Sequence, residues 1–484
     1  MEEELTIDKI KGKTIKGVVA LTGRTFILQA VALVATFFLT VFLSPEEYGM
    51  FFLVSAIINF FAYFSDIGLA AALIQKKEAL TPEELKTTFT IQQILVITLI
   101  AIILMLSPVI KNWYNLSDDA AYLIYALAVS LFLSSLKTIP SVILERKLDF
   151  NKLIIPQIIE TILFYSVVVY MAWKGFGIQS FTVAVLVRGF SGLFIMYYLQ
   201  PWRMGFDLSG QSLKKLLKFG LPYQTNTFLA VFKDDGITAI LGSILGPLGV
   251  GYLAWAQKWA NAPLRFFMDQ VIKVTFPAYS RLQNEPQELS KALTRSIFFI
   301  CLFVFPTLLG LIIIAPALTQ IIPKYEKWQP ALLALSLIST NTFFAAITTP
   351  LTNFLNAIGK IKITFRLMIM WTVLTWILVP ALSIKYGVNG AAAGYAFVGL
   401  SSLIAIYIAH KYIKIDFWTA LGKPIIAAAF MGITIYLLQI QLPRSVTSLI
   451  FTIILGILVY AGSIFFLVGQ SILNDFKKIV QNLK

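Results

Sequence analysis

The sequence contains very little of what disulfide-bonded proteins and most soluble enzymes use. Among 484 residues there is one cysteine, Cys301, and one histidine, His410. A single cysteine excludes an intrachain disulfide, and a single histidine argues against a His-based zinc site or a His-dependent catalytic triad. Charged residues make up 13% of the chain, which is about half the share of roughly 25% in soluble domains. The low charge content is not that of an ordinary soluble domain.

The sequence is instead rich in long apolar runs, and 58% of its residues are hydrophobic. Runs of about 18 residues or more are long enough to cross a hydrocarbon layer as a helix. We therefore predict an all-α polytopic membrane protein with about 14 transmembrane helices. The predicted spans are 18–43, 49–74, 87–110, 118–139, 153–173, 178–199, 216–241, 247–274, 293–319, 329–355, 363–384, 388–409, 424–441 and 446–469.

The basic residues are distributed unevenly between the two sides of the predicted bundle. The net charge is +15. The side that holds both termini collects 27 Lys and Arg residues, whereas the opposite side collects 6. By the positive-inside rule, this asymmetry over short loops predicts a multi-pass protein of the cytoplasmic (inner) membrane with both termini in the cytoplasm. The basic loops face anionic lipid of the bilayer, and we expect no nucleic-acid partner.

The sequence contains an internal repeat. SPEEYGMFFLVSAIIN (44–59) shares its Pro, Gly and Asn positions with GPLGVGYLAWAQKWAN (246–261), 202 positions later. PEEL (82–85) returns as PQEL (286–289), and GIQSFTVAVLVRGFSGL (177–193) resembles GVNGAAAGYAFVGLSSL (387–403). Because six spans per half leave both halves in the same orientation, the repeat predicts a pseudo-two-fold axis along the membrane normal with a central cleft.

This repeat sets the predicted domain organisation. Residues 1–200 form an N-terminal lobe with spans 1–6, and 216–410 form a C-terminal lobe with spans 7–12. Between them, 201–215 are a polar cytoplasmic linker with an interfacial helix whose lysines snorkel. Residues 411–484 add spans 13–14 and a cytoplasmic tail.

Eleven ionisable residues lie inside the predicted spans when the charged residues near span ends that belong with the flanking loops are set aside: Asp118, Asp119, Lys218, Lys273, Arg295 and Arg366. A charge at mid-membrane costs about 2.5–3.5 kcal/mol on insertion scales, so most of them should face the bundle interior or a water-filled cavity. Lys137 lies near a cytoplasmic span end, and we interpret it as a snorkelling lysine. The candidate substrate-binding residues of a cationic cavity are Arg24, Arg188, Lys233, Lys258, Arg265 and the amide Asn261; the candidates for coupling or structural ion pairs are Asp66, Glu160, Asp234, Asp235 and Asp269.

Two groups of these residues leave alternatives open. Arg24 and Asp66 have matched depths on neighbouring antiparallel spans, which favours a structural ion pair. Lys258 and Arg265 share one helix face with Asn261 between them, because their spacing is i, i+7. This stripe, and Arg188 in span 6, can line a site for an anionic group such as a diphosphate. Alternatively, these cations pair with interior carboxylates.

The stretch FKDDG (232–236) places three charges inside span 7. We predict a helix here and not a turn, because a break would leave almost nothing to cross the membrane after Lys233. Three adjacent helical residues cannot all face one small site, so Asp234 or Asp235 should meet another helix. A buried carboxylate can hold a proton or help to bind Na⁺. A pair with Arg188 or Lys258 is the structural alternative, and no cofactor is expected.

Several segments match a known family pattern. YGMFFLVSAIINFFAYFSDIGLAAALIQKKEALTPEEL (48–85) resembles the opening hairpin of the polysaccharide transporter (oligosaccharide flippase) family of the multidrug/oligosaccharidyl-lipid/polysaccharide exporter superfamily. LGPLGVGYLAWAQKWANAPLRFFMDQVIKVTFPAYSRLQ (245–283), LNAIGKIKIT (355–364) and YGVNGAAAGYA (386–396) resemble its second half. The resemblance implies a flippase that moves an undecaprenyl-diphosphate-linked oligosaccharide for O-antigen, capsule or exopolysaccharide by alternating access. It also implies glycan polymerase and chain-length regulator partners.

Two other functions compete with this one. A cation-coupled multidrug exporter of the same superfamily would favour an acidic, aromatic cavity, whereas the eleven interior candidates are six basic and five acidic residues. A membrane enzyme such as a glycan polymerase would use a large outer loop. The longest outer connection, QIIPKYEKWQ (320–329), is about ten residues long. We therefore expect a transporter and not an enzyme.

Overall fold

The computed structural model describes the backbone of residues 7–469 and the side chains of 23–469, except those of 223, 225–227, 230, 269, 270 and 273. The first nine helices are α1 (Ile7–Phe42), α2 (Pro45–Ala62), α3 (Leu69–Gln75), α4 (Pro82–Trp113), α5 (Asp118–Leu136), α6 (Thr138–Arg146), α7 (Phe150–Trp173), α8 (Gln179–Leu199) and α9 (Gly210–Val231). The others are α10 (Ile237–Arg281), α11 (Pro286–Ile321), α12 (Leu332–Ala357), α13 (Ile361–Leu400), α14 (Leu403–Tyr412), α15 (Lys423–Gln441) and α16 (Val446–Val468). The predicted all-α class is confirmed.

The described helices are long and apolar enough for a membrane protein. In hydrocarbon every backbone N–H and C=O must bond within its own segment, which a helix achieves. Twelve helical stretches have the required length and hydropathy. Two of them, Phe232–Met268 and Ile361–Tyr412, each overlap two predicted spans. Each contains a glycine with non-helical backbone angles, Gly246 and Gly387. The multi-pass architecture is therefore confirmed, and the number of fourteen spans stays a prediction.

Helix starts follow the local sequence. Ser44 precedes α2, and its Oγ accepts a hydrogen bond from the backbone N–H of Glu47 at 3.2 Å. The Glu47 carboxylate accepts in return from the Ser44 N–H at 2.8 Å. Thr81 and Glu84 make the same reciprocal pair before α4. Each capping box satisfies two backbone donors that the first turn leaves open, and a proline follows each cap where its missing N–H costs nothing.

The repeated motifs take up matching local structures. Pro82 is the first residue of α4, and Pro286 is the first residue of α11. Gly177 and Gly387 both have positive φ angles, 54° and 61°. A positive φ favours glycine because it has no Cβ. These correspondences agree with the repeat, while the symmetry of two lobes, 1–200 and 216–410, stays a prediction.

Two repeat-related glycines meet where α2 crosses α10. A Cβ on Gly49 would overlap the carbonyl oxygen of Pro247, and a Cβ on Gly251 would overlap the carbonyl oxygen of Pro45. The contact is reciprocal, because each glycine faces the backbone four residues before the other. The two helices therefore approach backbone to backbone, which only glycine permits at both positions.

The helices form two compact units, Met1–Gly251 and Tyr252–Lys484. In the first unit α7 packs on α1 and α8, and α5 packs on α8 and α4. A separate apolar cluster joins α3, α4, α6 and α9, with Leu69, Phe89, Ile139 and Leu216 in it. The segment 201–209 has no helix, and the lysines predicted for an interfacial helix lie in the first turns of α9.

The second unit is built around α11. This helix packs on α12 and α15, α12 packs on α13, and α15 packs on α16. The core includes Leu293, Ile300, Cys301, Leu351 and Phe354. Cys301 is a free thiol and fully buried, so it acts as a small apolar side chain. The unit thus keeps its long helices together mainly by apolar packing.

Candidate functional site

Helix α7 carries three side chains on one face, Gln157, Glu160 and Phe164, which we call the α7 stripe. Their spacing of three and four residues places them one above the other along the helix. Asp149 caps the start of α7 by accepting from the backbone N–H of Lys152 at 3.4 Å. Because α7 packs between α1 and α8, the stripe is within reach of side chains from both neighbours.

Three basic side chains contact the α7 stripe. Arg24 on α1 donates a hydrogen bond from Nη1 to Oε1 of Gln157. Lys137 stands between α5 and α6, and its Nζ lies 2.6 Å from Oε1 of Glu160. Arg188 on α8 places its Nε 3.8 Å from Oε2 of the same carboxylate. Three cations thus share one carboxylate and one amide, which leaves this part of the first unit positively charged.

The Lys137–Glu160 pair corrects the interpretation of Lys137 as a snorkelling lysine. Its side chain is 15% exposed and that of Glu160 is 9% exposed, so both charges lie in the protein interior. Removing one member of a buried ion pair costs about 3–5 kcal/mol because the other charge is left without a partner. The pair therefore fixes Glu160 in place, and Glu160 in turn anchors Arg188.

Glycine 192 on α8 makes room for this arrangement. A Cβ on Gly192 would overlap Oε1 of Glu160. We expect Gly192→Ala to displace the carboxylate from Lys137, and the purified protein should then unfold at a lower temperature. Overpacking in a core costs about 1–3 kcal/mol. The matched control is Gly462→Ala in α16, since nothing lies within 4 Å of that position. Equal melting temperatures for the two variants would contradict the assignment.

Arg188 points into a cavity. Its side chain is 53% exposed, and its guanidinium carbon lies 5.8 Å from the centre of the Phe164 ring. The cavity has a volume of about 410 Å³ and lies entirely within the first unit. Six of its lining side chains are polar and three are phenylalanines: Arg188, Asp235, Asn59, Ser55, Ser130 and Thr238, with Phe51, Phe52 and Phe164.

The FKDDG stretch supplies the carboxylate of this cavity. Residues Phe232–Gly236 form one π-helical turn between α9 and α10, so the prediction of a helix and not a loop turn is confirmed. Single π turns inside α-helices occur frequently at functional sites. Asp234 is 72% exposed and lies 3.4 Å from Nζ of Lys233, whereas Asp235 lines the cavity. The two aspartates thus have different surroundings, and Asp235 is the one that lines the same cavity as Arg188.

The cavity can hold a small anionic group with hydroxyl-bearing substituents. A guanidinium offers a planar set of donors that matches phosphate oxygens. The amide and hydroxyl side chains suit sugar hydroxyls, and the phenylalanine rings suit the apolar faces of sugars. Its volume lies in the range of small-molecule sites, roughly 300–1,000 Å³. Among the described residues no group of three or more His, Cys, Asp or Glu side chains forms a metal-binding cluster.

The predicted partners Arg24 and Asp66 are not joined in the structure. Arg24 donates to Gln157, and its buried Nε makes no hydrogen bond. The Asp66 carboxylate instead accepts from the backbone N–H of Leu69 at 2.9 Å and of Ala70 at 3.4 Å. Asp66 therefore caps the start of α3, and Arg24 belongs to the α7 stripe.

The second unit contains the other predicted stripe, on α10. Asn261 accepts a hydrogen bond from the hydroxyl of Thr342 on α12 at 2.9 Å, so this amide joins two helices. Lys258 is partly buried and Arg265 is exposed. The side chain of Asp269, predicted as an ion-pair or coupling residue, lies outside the described residues. The cationic role of the α10 stripe stays a prediction.

Some residues of the cavity were missed in the sequence. Ser130, Thr238 and Phe164 carry no recognisable signal, because single hydroxyl or aromatic residues are common in membrane helices. Asn59 is the exception, since it recurs as Asn261 in the repeat. The structure gives both asparagines polar surroundings, the cavity of the first unit and the Thr342 hydroxyl in the second.

Comparison with known proteins identifies the family. A family model described as "Polysaccharide biosynthesis protein" matches residues 38–332. The chain belongs to this polysaccharide biosynthesis family. The resemblance to a polysaccharide family that the sequence predicted is thereby confirmed.

Relatives of this family member cover nearly its whole length. The lipopolysaccharide biosynthesis protein WzxC of Escherichia coli is 23% identical, over 93% of this chain and 88% of that protein. The succinoglycan biosynthesis transport protein ExoT of Rhizobium meliloti is 22% identical, over 86% of each chain. The probable low-salt glycan biosynthesis flippase Agl15 of Haloferax volcanii is also 22% identical, over 81% of this chain and 83% of that protein.

Two solved structures share the fold of this family member. The lipid II flippase MurJ in an inward closed conformation superposes with a TM-score of 0.75 and 17% identity, over 94% of this chain and 98% of that chain. An inward-facing multidrug transporter of the MATE family superposes with a TM-score of 0.58 and 18% identity, over 81% of this chain and 98% of that chain. At these identities the likeness establishes the fold and not the substrate.

Proposed function

We propose that the protein is a flippase for a prenyl-diphosphate-linked oligosaccharide, the repeat unit of an O-antigen, a capsule or an exopolysaccharide. The observation that carries the proposal is Arg188, a half-exposed guanidinium in a cavity with hydroxyl, amide and aromatic walls. Arg188 meets the diphosphate, and the polar and aromatic walls meet the sugars. The names of WzxC, ExoT and Agl15, which are a lipopolysaccharide biosynthesis protein, a succinoglycan transport protein and a probable glycan biosynthesis flippase, support this substrate class.

The physical task of such a protein is to carry charge across hydrocarbon. The desolvation of an ion in an apolar medium costs several kcal/mol even after relaxation, whereas a prenyl chain is soluble in the bilayer. Only the diphosphate and the sugars therefore need shielding. Glu160 and Lys137 hold Arg188 in position before the substrate arrives, so that little reorganisation is needed when the diphosphate binds.

The remaining parts of the proposal follow from this task. The protein lies in the cytoplasmic membrane with both termini in the cytoplasm, binds at the cytoplasmic side and releases outward by alternating access of two lobes. It makes and breaks no covalent bond of the glycan and needs no cofactor. Asp235, the cavity carboxylate, is the group we propose for coupling to H⁺ or Na⁺. A glycan polymerase and a chain-length regulator would receive the product.

A multidrug exporter is the second candidate, and one observation favours it. The cavity combines Asp235 with three phenylalanine rings, and a carboxylate with aromatic faces suits an organic cation. Arg188 on the same cavity opposes a cationic substrate by charge repulsion. Drug susceptibility of a deletion strain separates the two functions. Loss of an exporter of organic cations would raise the susceptibility to such drugs, whereas loss of a flippase would leave it unchanged.

The proposal predicts a specific defect in cells that lack the protein. Lipid-linked oligosaccharide should accumulate in the cytoplasmic leaflet, and the corresponding surface glycan should be lost. Lectin staining measures the surface glycan, and labelling of spheroplasts with a membrane-impermeant reagent measures the leaflet distribution. Restoration by the plasmid-borne protein is the control. Unchanged surface glycan together with an unchanged leaflet distribution would contradict the proposal.

A further inference from the structure

A second cavity in the first unit is a long apolar groove between α1 and α7. It has a volume of about 780 Å³. Its α1 wall runs from Ala30 to Phe42, which is about 18 Å along a helix at 1.5 Å per residue. Its α7 wall runs from Tyr165 to Trp173. Because the groove is open along one side and its walls are almost entirely aliphatic and aromatic, it suits a flexible hydrocarbon chain.

The outer end of the groove carries a cation at the level of aromatic side chains. Nζ of Lys174 lies 4.5 Å from the centre of the Trp173 ring and 5.9 Å from that of Tyr170. The two rings are 58% and 59% exposed. Tryptophan and tyrosine accumulate at the membrane–water interface, so Lys174 is placed where a lipid phosphate would be.

The inner end of the groove between α1 and α7 also carries a cation. Arg24 and Gln157 join α1 to α7 inward of the groove. Six residues separate Arg24 from Ala30 along α1, about 9 Å. Glu160 follows Gln157 on the α7 stripe and contacts Arg188, which lines the cavity. A resident phospholipid keeps its phosphate at one interface and can contact a cation only there. A lipid whose head group crosses the bilayer can contact a cation at each end of its path.

We infer that the α1–α7 groove holds the prenyl chain of the lipid-linked substrate while its diphosphate moves between the levels of Arg24 and Lys174. The inference rests on the proposed function and adds a site for the apolar part of the substrate. The prenyl chain of the substrate remains in the α1–α7 groove, so only the diphosphate and the sugars change their depth in the bilayer.

Photocrosslinking of the purified full-length protein tests this site. We would replace Val34, a groove residue that is 56% exposed, with p-benzoylphenylalanine. Ile97 on α4 is the matched control, since it is 57% exposed and does not line the groove. The probe is radiolabelled undecaprenyl diphosphate in phospholipid vesicles. We expect several times more crosslinking at position 34 than at 97, with little competition from added phosphatidylglycerol.

The outcomes separate the groove from the flippase proposal. Equal yields at both positions, or complete competition by phosphatidylglycerol, would overturn the groove assignment, because ordinary lipid would then explain the contact. Export of surface glycan is measured for the same variants. Wild-type export without preferential crosslinking refutes the groove alone, whereas normal glycan in cells that lack the protein refutes the flippase. Lys174→Gln should lower the yield at position 34 by removing the outer cation.

Discussion

Replacing Gly251 with alanine is expected to lower the melting temperature strongly and to abolish glycan export. A Cβ at this position would overlap the carbonyl oxygen of Pro45, and a Cβ on Gly49 would overlap that of Pro247. Overpacking of side chains costs about 1–3 kcal/mol. An overlap with backbone cannot be relieved by a rotamer change, so the cost here should be at the upper end or above. We expect the same defect for Gly49→Ala.

Gly462→Ala is the control for both variants. No atom lies within 4 Å of a Cβ at that position of α16, and alanine is the better helix former by about 1 kcal/mol. Its melting temperature should therefore be unchanged or higher, with normal export. If Gly251→Ala behaved like Gly462→Ala in thermal unfolding and in export, the close crossing of α2 and α10 would be refuted.

The contact between α2 and α10 joins two residues that the weak sequence repeat makes equivalent. Gly49 and Gly251 were paired only by their places in two poorly matching segments. In the structure they meet, and each glycine faces the backbone of the other segment. A repeat that places equivalent residues against each other constrains both positions at once, which explains why the Pro–Gly spacing is kept where most other residues differ.

Reversing the charge of Arg188 is expected to have the second large effect, a loss of export at normal protein levels. Arg188→Glu places a second carboxylate beside Glu160, which Arg188 now faces at 3.8 Å, and removes the guanidinium from the cavity. Because the Arg188 side chain is 53% exposed, its loss should cost less binding free energy than the roughly 2–5 kcal/mol of a fully buried charged contact. Surface glycan in a complemented deletion strain measures the effect, with membrane protein quantified by immunoblot.

Two further variants sharpen this prediction. Arg188→Lys keeps the charge but loses the planar donor set and the contact with Phe164, so partial export is expected. Arg203→Glu is the matched control, because Arg203 is exposed in the segment between α8 and α9. The Arg203→Glu variant should export glycan at the wild-type level. Wild-type glycan from Arg188→Glu would remove Arg188 from the site.

The sequence predicted the helical membrane architecture because hydrophobicity and length alone determine it. It also identified Arg188, Glu160 and Asp235 as charges that need interior surroundings. It did not predict the Lys137–Glu160 pair. Lys137 lies near a span end, where snorkelling is the simplest explanation. Only the packing of the α5–α6 junction against α7 brings it to a buried carboxylate.

Two other features lie beyond sequence reasoning for different reasons. The π turn of FKDDG separates Asp235 from Asp234, and no local propensity distinguishes a π turn from the α-helix around it. Gly246 and Gly387 bend the backbone without ending the helical stretch, so the count of spans depends on where a helix is divided. The α10 stripe of Lys258 and Arg265 keeps its predicted role without a structural test.

Translocation in reconstituted vesicles tests the central claim most directly. Vesicles would contain the purified protein and a fluorescent undecaprenyl-diphosphate-linked oligosaccharide in both leaflets, and a membrane-impermeant glycosidase would be added outside. With the wild-type protein, the substrate of the inner leaflet should become accessible, so that nearly all of it is cleaved. With Arg188→Glu or without protein, only the substrate already in the outer leaflet should be cleaved. Equal cleavage in vesicles with and without the wild-type protein would contradict the account.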